Sequence, residues 1–178
     1  MRIPDGYQLG RPRRDELAQL PRIEAEAASV FPPEDLPPAL RAEGLPVSFF
    51  EEASAGGRVW VVRTLVPPLP VGFAALTRVD GSAHLLEMDV VPAHAGRGLG
   101  RALVAEVADW ARRHGFPSVT LTTFRHLPWN GPFYASLGFV EVPAVELGPE
   151  LREVLAEEAS HGLDPAKRVA MQLSLHAS

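Results

Sequence analysis

The residues with the clearest chemical potential form a loop of alternating glycines. Gly96, Gly98 and Gly100 stand two positions apart, and only Ala93-His94-Ala95 separates them from the apolar run Leu85–Val91 and Pro92. The run is rich in β-forming residues, and a helical pattern begins at once after the loop. Glycines permit positive φ, and the start of a helix offers unpaired N–H groups and partial positive charge. This arrangement predicts a binding site for an anion such as a phosphate.

The loop departs from two well-known phosphate-binding motifs. The dinucleotide pattern Gly-x-Gly-x-x-Gly is not met because Arg101 stands where the third glycine would be. The P-loop pattern is not met either, since no Gly-Lys-Ser/Thr follows. Two alternatives stay open at this point, namely a nucleotide-binding fold of another type and a plain tight turn between a strand and a helix.

A second segment, Trp129–Phe139, predicts a short helix that runs into a strand. Pro132 suits the first turn of that helix, and Gly138 suits its C-terminal exit. Tyr134 lies within the helix, where its phenol could take part in proton transfer. The order of the two segments, about thirty residues apart, is more specific than either segment alone.

Together the two segments resemble the GCN5-related N-acetyltransferase (GNAT) superfamily. The family loop reads Gln/Arg-x-x-Gly-x-Gly/Ala; the segment 95–100 supplies both glycines, while Ala95 stands where the family has Gln or Arg. Tyr134-x-x-Leu137-Gly138-Phe139 resembles the family's Phe-Tyr-x-x-x-Gly-Phe. The resemblance implies one domain over residues 1–178 with an α/β fold, a central mixed sheet with helices on both faces. It also implies acetyl-CoA as co-substrate.

The resemblance further implies which residues hold the cofactor. In the family, loop amides hold the pyrophosphate, and the strand before the loop pairs with the pantetheine arm where two neighbouring strands splay apart. The cofactor-binding candidates are Met88, Asp89, Val90, Ala95, Gly96, Arg97, Gly98, Leu99, Gly100, Arg101, Asn130 and Tyr134. Strand N–H groups are also candidates for polarising the thioester oxygen. Asn130 resembles a cofactor-contacting Asn of the family, but we favour a helix cap for its side chain.

Two side chains are candidates for proton transfer. Tyr134 is the candidate general acid, because a phenol of pKa ~10 can protonate a departing thiolate; the alternative is a packed Tyr whose hydroxyl only hydrogen bonds. Glu87 is the candidate base for the incoming amine. Glu87 and Asp89 point to one side of their strand, where two carboxylates are unexpected unless they line a wet cleft. The alternative for Glu87 is a salt bridge to Arg63 or Arg78.

The remaining candidates near the strand are weaker. The opposite face of the strand is predicted to be plain core: Leu86, Met88 and Val90. His84 and His126 could approach the acceptor, although such histidines are more often surface or hydrogen-bonded residues, and His94 is expected to be solvated. The six histidines show no pair at metal-ligand spacing, so no metal site is expected.

Composition narrows the class of protein. The chain has 178 residues, of which 46% are hydrophobic, and it has no cysteine, which excludes disulfides and thiolate metal sites. No apolar run approaches the ~18–20 residues of a membrane span, and no signal peptide is recognisable, which favours a cytoplasmic protein. A net charge of −5 argues against nucleic-acid partners. The richness in Arg, Ala and Pro favours a bacterial source.

Hydrophobic periodicity predicts the elements that position these residues. Helices are predicted over Asp15–Phe31, Glu34–Glu43, from Leu99 to Arg113, around Tyr134, and over Glu150–His161. Strands are predicted over Tyr7–Leu9, Arg58–Val66, Val71–Arg78, Ala83–Val91, Val119–Thr123, Phe139–Val142 and Arg168–Leu175. Asp80-Gly81 predicts a tight hairpin turn, and Pro21 predicts a kink or a late start in the first helix.

The resemblance implies transfer of an acetyl group from acetyl-CoA to a primary amine by direct attack in a ternary complex. A small-molecule acceptor is favoured over a protein. The alternative is a non-catalytic module that binds acyl-CoA. Family habit allows a homodimer, and the sequence does not identify the acceptor.

Overall fold

The computed structural model describes residues 3–41 and 44–175. Within them the chain forms seven strands and seven α-helices. The strands are β1 (Tyr7–Gly10), β2 (Val59–Thr64), β3 (Pro70–Val79), β4 (Ser82–Val90), β5 (Ser118–Phe124), β6 (Val140–Glu141) and β7 (Arg168–Ser174). The helices are α1 (Arg14–Leu17), α2 (Leu20–Ala28), α3 (Pro38–Arg41), α4 (Val47–Ala55), α5 (Leu99–Arg113), α6 (Gly131–Ala135) and α7 (Pro149–Ser160).

The strands form one mixed sheet in the order β1-β2-β3-β4-β5-β7-β6. β1 and β2 pair antiparallel, as do β2 and β3, β5 and β7, and β6 and β7. β5 is parallel to β4, because α5 carries the chain back between them, and the paired residues are Ala83 with Val119 and His84 with Thr120. The predicted α/β fold with a mixed sheet is confirmed.

The chain divides into two compact units. The first comprises residues 1–77 and 86–107, and the second comprises residues 78–85 and 108–178. The single domain expected over 1–178 stays a prediction. Among the described helices, none combines the length and apolar character that crossing a membrane requires.

In the first unit, the core contains apolar side chains from one side of the helices and from the buried residues of the strands. Leu20 and Ile23 of α2 are fully buried, as the helical spacing predicts. Phe50 of α4 packs edge-to-face on Phe73 of β3, with ring centroids 5.2 Å apart. Phe50 is fully buried in this contact, so α4 covers part of the sheet.

A buried ion pair ties the N-terminal segment to β2 in the same unit. The guanidinium of Arg63 donates to both carboxylate oxygens of Glu16, at 2.7 and 2.8 Å. The same guanidinium donates to the carbonyl of Arg11 at 2.9 Å, and Glu16 also accepts from the backbone N–H of Arg13 at 2.7 Å. The two bonds between Arg63 and Glu16 are buried, and the bonds to the backbone of Arg11 and Arg13 are part-buried, so this network holds the segment before α2 against β2.

In the second unit, the β3–β4 turn is anchored to α7. Asp80 and Gly81 both have positive φ, 49° and 73°, as the predicted tight turn requires. The Asp80 carboxylate accepts from the N–H groups of Glu150 and Leu151 at 3.0 and 2.9 Å, and the Glu150 carboxylate accepts from the Asp80 N–H. The turn thus supplies the N-terminal cap of α7, and Leu151 is buried beside Val79 and Ala170.

Several element boundaries differ from the prediction. The helix expected over 15–31 is divided into α1 and α2, because Pro21 occupies the first turn of a new helix. The helix expected over 34–43 is reduced to α3, and residues 42 and 43 lie outside the described residues. The strand expected over 139–142 is limited to Val140–Glu141, and α4 was not predicted.

Candidate functional site

The glycine loop has the backbone geometry that its sequence predicts. Gly96 and Gly98 have φ of +72° and +82°, a region that side-chain-bearing residues rarely adopt. A Cβ at Gly96 would meet nothing within 4 Å, so the backbone there is open to a ligand. Leu99 is buried and anchors the first turn of α5, whose hydrogen bonding begins with Ala102 N–H donating to Gly98 at 3.1 Å. The loop and the helix start therefore present backbone to an open space.

Side chains of the loop mostly face solvent. Ala95 and Arg97 are exposed, and Arg97 donates to the carbonyl of Ala93 at 3.2 Å. His94 is half-buried, and its Nδ1 lies 2.7 Å from the hydroxyl oxygen of Tyr7 on β1. The expectation that His94 is merely solvated is therefore wrong, because β1 reaches the loop and supplies a partner.

The exposure of β4 changes along its length. Ser82–Leu85 is buried, whereas every residue of 86–90 is half-buried. The prediction that Leu86, Met88 and Val90 are plain core is therefore wrong: this end of the strand is partly accessible on both faces. Gly72 of β3 lies against it, since a Cβ there would come within 2.8 Å of the Asp89 carbonyl oxygen.

Three carboxyl groups of the first unit interact at this strand end. Glu87 and Asp89 hydrogen bond to each other, and Glu24 of α2 acts electrostatically on Asp89. Burial raises the pKa of Asp89 well above its ordinary value, and the neighbouring charges of Glu87 and Glu24 raise it further. Burial also raises the pKa of Glu24, although the Leu45 N–H, at 3.0 Å from Oε2, partly opposes this.

The two arginines considered as partners for Glu87 are engaged elsewhere. Arg63 is paired with Glu16, and the guanidinium of Arg78 lies 5.0 Å from the ring centroid of Phe116. The Oδ2 oxygen of Asp89 is buried and has no hydrogen-bond partner in the described part of the chain. A buried carboxyl oxygen without a donor is costly, and a ligand that brings a donor removes that cost.

The second unit holds Tyr134 and Asn130 on and before α6. Tyr134 is buried, with ring contacts to Phe133 and Phe139. A Cβ at Gly131 would approach the Arg125 carbonyl oxygen to 2.7 Å, so the helix start requires glycine. Asn130 makes no side-chain cap on α6, and the predicted cap is wrong. Its Oδ1 is buried and, within residues 3–41 and 44–175, has no hydrogen-bond partner.

His84 and His126 take different positions in the second unit. His84 is fully buried, and its Nδ1 lies 2.9 Å from the hydroxyl oxygen of Thr120. Burial lowers the pKa of His84 from 6.5 to about 4, against the opposing charge of Glu158. His126 is exposed and packs edge-to-face with Phe124. His84 is therefore a neutral, hydrogen-bonded core histidine at neutral pH.

These features suit an anionic cofactor with amide and carbonyl groups along its length. In the first unit, the loop offers open backbone at positive-φ glycines. In the second unit, taken by itself, Asn130 offers a buried oxygen without a hydrogen-bond partner among the described residues. Among the described residues, no cluster of three or more His, Cys, Asp or Glu could hold a metal ion.

Two residues that interact with the candidate site, Glu24 and Tyr7, were not identified from the sequence. Glu24 lies one position after buried Ile23 and four after buried Leu20, on the inward stripe where an apolar residue is the norm. That placement was the available signal for Glu24. Tyr7 gave no local signal, because its contact to His94 depends on the order of strands in the sheet.

Comparison with known proteins gives one family and many structures of the same fold. The Acetyltransferase (GNAT) family matches residues 20–139. Salmonella typhimurium yncA, solved with acetyl-CoA, is 20% identical with a TM-score of 0.67, covering 98% of each chain. A GNAT acetyltransferase of Staphylococcus aureus is 15% identical with a TM-score of 0.69, covering 96% of this chain and 99% of that one. The paia N-acetyltransferase of Thermoplasma acidophilum, solved with coenzyme A, is 12% identical with a TM-score of 0.64, covering 94% and 98%.

Proposed function

Since the chain belongs to the acetyltransferase (GNAT) family, we propose that it transfers an acetyl group from acetyl-CoA to a primary amine of a small-molecule acceptor. The observation that carries the proposal is the open glycine loop, with φ of +72° and +82° at Gly96 and Gly98 ahead of α5. Structures of the same fold solved with coenzyme A or acetyl-CoA support the choice of cofactor. A bacterial, cytoplasmic setting is part of the same proposal.

In the first unit, the loop and the strand end hold the cofactor. Backbone N–H groups of residues 96–101 bind the pyrophosphate, with Arg97 and Arg101 adding positive charge. Backbone groups of Met88, Asp89 and Val90 align the pantetheine arm and polarise the thioester oxygen. Ala95 has no side chain long enough to replace the family's Gln or Arg, so the amides carry this part of the binding alone.

Two proton transfers complete the reaction. The amine nitrogen forms a bond to the acetyl carbon as the carbon–sulfur bond breaks, and the electron pair of that bond goes to sulfur. Tyr134 donates its phenolic proton to the departing thiolate. Glu87 accepts the proton that the amine nitrogen loses, directly or through water. Asn130 contacts the cofactor through its unpaired amide oxygen, which suits an N–H donor.

Thermal unfolding with acetyl-CoA, coenzyme A, ATP and NAD tests the proposal first. A ligand at 100 times its Kd stabilises by about 2.7 kcal/mol, which raises Tm by roughly 5–11 °C for a chain near this size, at 2–4 °C for each kcal/mol. We expect that rise with acetyl-CoA and coenzyme A only, followed by acetylated product in an amine screen.

The other outcomes separate the alternatives. Stabilisation by ATP or NAD alone would refute the cofactor assignment and favour a nucleotide-binding function. Stabilisation by acetyl-CoA without product across a broad amine panel would favour a non-catalytic acyl-CoA-binding module.

A further inference from the structure

His94 stands just before the glycine loop and is held by a residue from a distant part of the chain. Its Nδ1 lies 2.7 Å from the hydroxyl oxygen of Tyr7, and the two rings meet edge-to-face with centroids 5.6 Å apart. Both residues belong to the first unit, although they are 87 positions apart in the sequence. The contact therefore fixes the orientation of the imidazole relative to β1.

The backbone on each side of this contact is also held by hydrogen bonds. Tyr7 pairs with Thr64 in the sheet. The N–H of His94 donates to the carbonyl of Val91 at 2.9 Å, in the single 3₁₀ turn Pro92–His94 that leads into the loop. The imidazole is thus anchored through both its backbone and its Nδ1 at the start of the loop.

Hydrogen bonding through Nδ1 makes Nε2 the nitrogen that is available to a ligand. In the neutral ring, Nδ1 accepts from the Tyr7 hydroxyl, so the ring proton is on Nε2; in the charged ring, Nδ1 donates and Nε2 again carries a hydrogen. Nε2 is therefore a donor in both states, and its N–H bond points away from Tyr7. The ring of His94 makes no other hydrogen bond within the part of the chain that the structure describes.

The loop after His94 has space for a ligand and few side-chain donors. A Cβ at Gly96 would meet nothing within 4 Å. Ala95 has no polar side chain, and Arg97 donates to the carbonyl of Ala93. An N–H group that donates to a phosphate oxygen forms a charge-assisted hydrogen bond, which is stronger than one between neutral groups. A fixed imidazole N–H at this position therefore suits a phosphate group bound at the loop.

We propose that His94, oriented by Tyr7, donates from Nε2 to a pyrophosphate oxygen of coenzyme A. The inference rests on the proposed acetyl transfer, because that function brings coenzyme A to the loop. His94 is the binding residue, and Tyr7 is a positioning residue that acts through it. The loop amides still carry the contact that Ala95 cannot make, and the bond from His94 is additional to it.

Calorimetric titration of the full chain with coenzyme A and with dephospho-coenzyme A, which lacks the 3′-phosphate, tests this assignment. His94→Phe keeps an aromatic ring beside Tyr7 but has no N–H. It should weaken the binding of both ligands by roughly ten- to a hundredfold, the value of a hydrogen bond to a charged group. His94→Gln keeps an amide N–H donor and should bind both ligands within about threefold of the wild type. Equal affinities of the two variants would overturn the inference, because a purely structural contact does not depend on a donor.

The role of Tyr7 has a separate readout. Tyr7→Phe removes only the hydroxyl and should weaken coenzyme A binding by roughly two- to tenfold, the value of a neutral hydrogen bond. In a chain that already carries His94→Phe, the same change should weaken binding no further, because Tyr7 acts through His94. Additive losses would refute the positioning role. A loss confined to coenzyme A, with dephospho-coenzyme A unaffected, would overturn the pyrophosphate contact, since only the 3′-phosphate distinguishes the two ligands.

His161→Gln is the matched control, because His161 is exposed and its Nδ1 donates to the carbonyl of Glu157 at 2.8 Å. It should bind coenzyme A as the wild type does. The wild type keeps the two proposals separate. Failure of the wild type to bind coenzyme A would refute the acetyltransferase assignment, whereas wild-type binding that is unchanged in His94→Phe would refute only the role of His94.

Discussion

Protonation of His84 should destabilise the second unit in acid. The side chain is fully buried, and burial lowers its pKa from 6.5 to about 4. In the unfolded chain His84 takes up a proton near pH 6.5, whereas in the folded chain it does so only near pH 4. Between these values the unfolded state binds more protons, so the free energy of unfolding falls as pH falls.

The size of the effect follows from the separation of the two pKa values. The two pKa values differ by about 2.5, and each pKa unit corresponds to about 1.36 kcal/mol. The free energy of unfolding therefore falls by about 3 kcal/mol as the pH drops from neutral to below 4, and about 2 kcal/mol of that loss has already occurred at pH 5. The stabilisation is complete above pH 6.5. Glu158 is the charged group that opposes the shift, and Thr120 is the hydrogen-bond partner of the ring.

Urea unfolding between pH 7 and pH 4.5 measures this loss. The wild type should lose about 2 kcal/mol more than His84→Gln between pH 7 and pH 5, because Gln does not titrate and can still hydrogen bond to Thr120. The matched control is His126→Gln at an exposed histidine, which should follow the wild-type profile. Parallel pH profiles for the wild type and His84→Gln would refute the reasoning.

Four further substitutions test the site and the fold. Tyr134→Phe should lower kcat by roughly tenfold or more with little change in acetyl-CoA affinity, because a general acid is lost while the ring that contacts the cofactor is kept; unchanged kcat would remove Tyr134 from the mechanism. Glu87→Gln should flatten the acidic limb of the pH–rate profile, and an intact limb would point to another base. Gly98→Val should abolish acetyl-CoA stabilisation in thermal unfolding, because a β-branched side chain is strained at φ of +82° and fills the loop; normal binding by the folded variant would contradict the loop assignment. Asp80→Asn should lower unfolding stability in urea by about 1 kcal/mol through a weaker cap on α7, and an unchanged midpoint would contradict the capping role.

Local signals in the sequence were sufficient for the loop and most of the sheet. Alternating glycines after an apolar run predicted the positive φ of Gly96 and Gly98, and Asp80-Gly81 predicted its hairpin turn. The backbone conformations at these residues are limited by local steric contacts, which depend on the type of each residue and not on distant parts of the chain. The elements α5 and β5 were likewise found from periodicity within a few residues of their bounds.

Features that depend on distant contacts were missed or misjudged. Asn is a common N-cap residue, yet the Asn130 side chain makes no capping hydrogen bond on α6. Residue type alone does not determine which of several possible partners a side chain bonds to. Glu24 of α2 acts electrostatically on Asp89 of β4, and an interaction between residues so far apart in the sequence follows from the fold as a whole. Met88 was predicted to be buried in the core, and it is half-buried. The alternation of residues along a strand tells which face a side chain is on, but it does not tell whether other elements cover that face.

The buried pair of Glu16 and Arg63 has a consequence for how this sequence can drift. The two positions lie 47 residues apart, yet each supplies the other's charge in a place that water does not reach. Loss of one partner leaves the other as a buried charge without a counter-ion and lowers the free energy of unfolding by about 3–5 kcal/mol. Replacement of both with apolar residues of similar volume can leave stability unchanged. Selection therefore acts on the two positions jointly. Among homologues the two positions should change together or not at all, and a lineage that has lost one should have lost both.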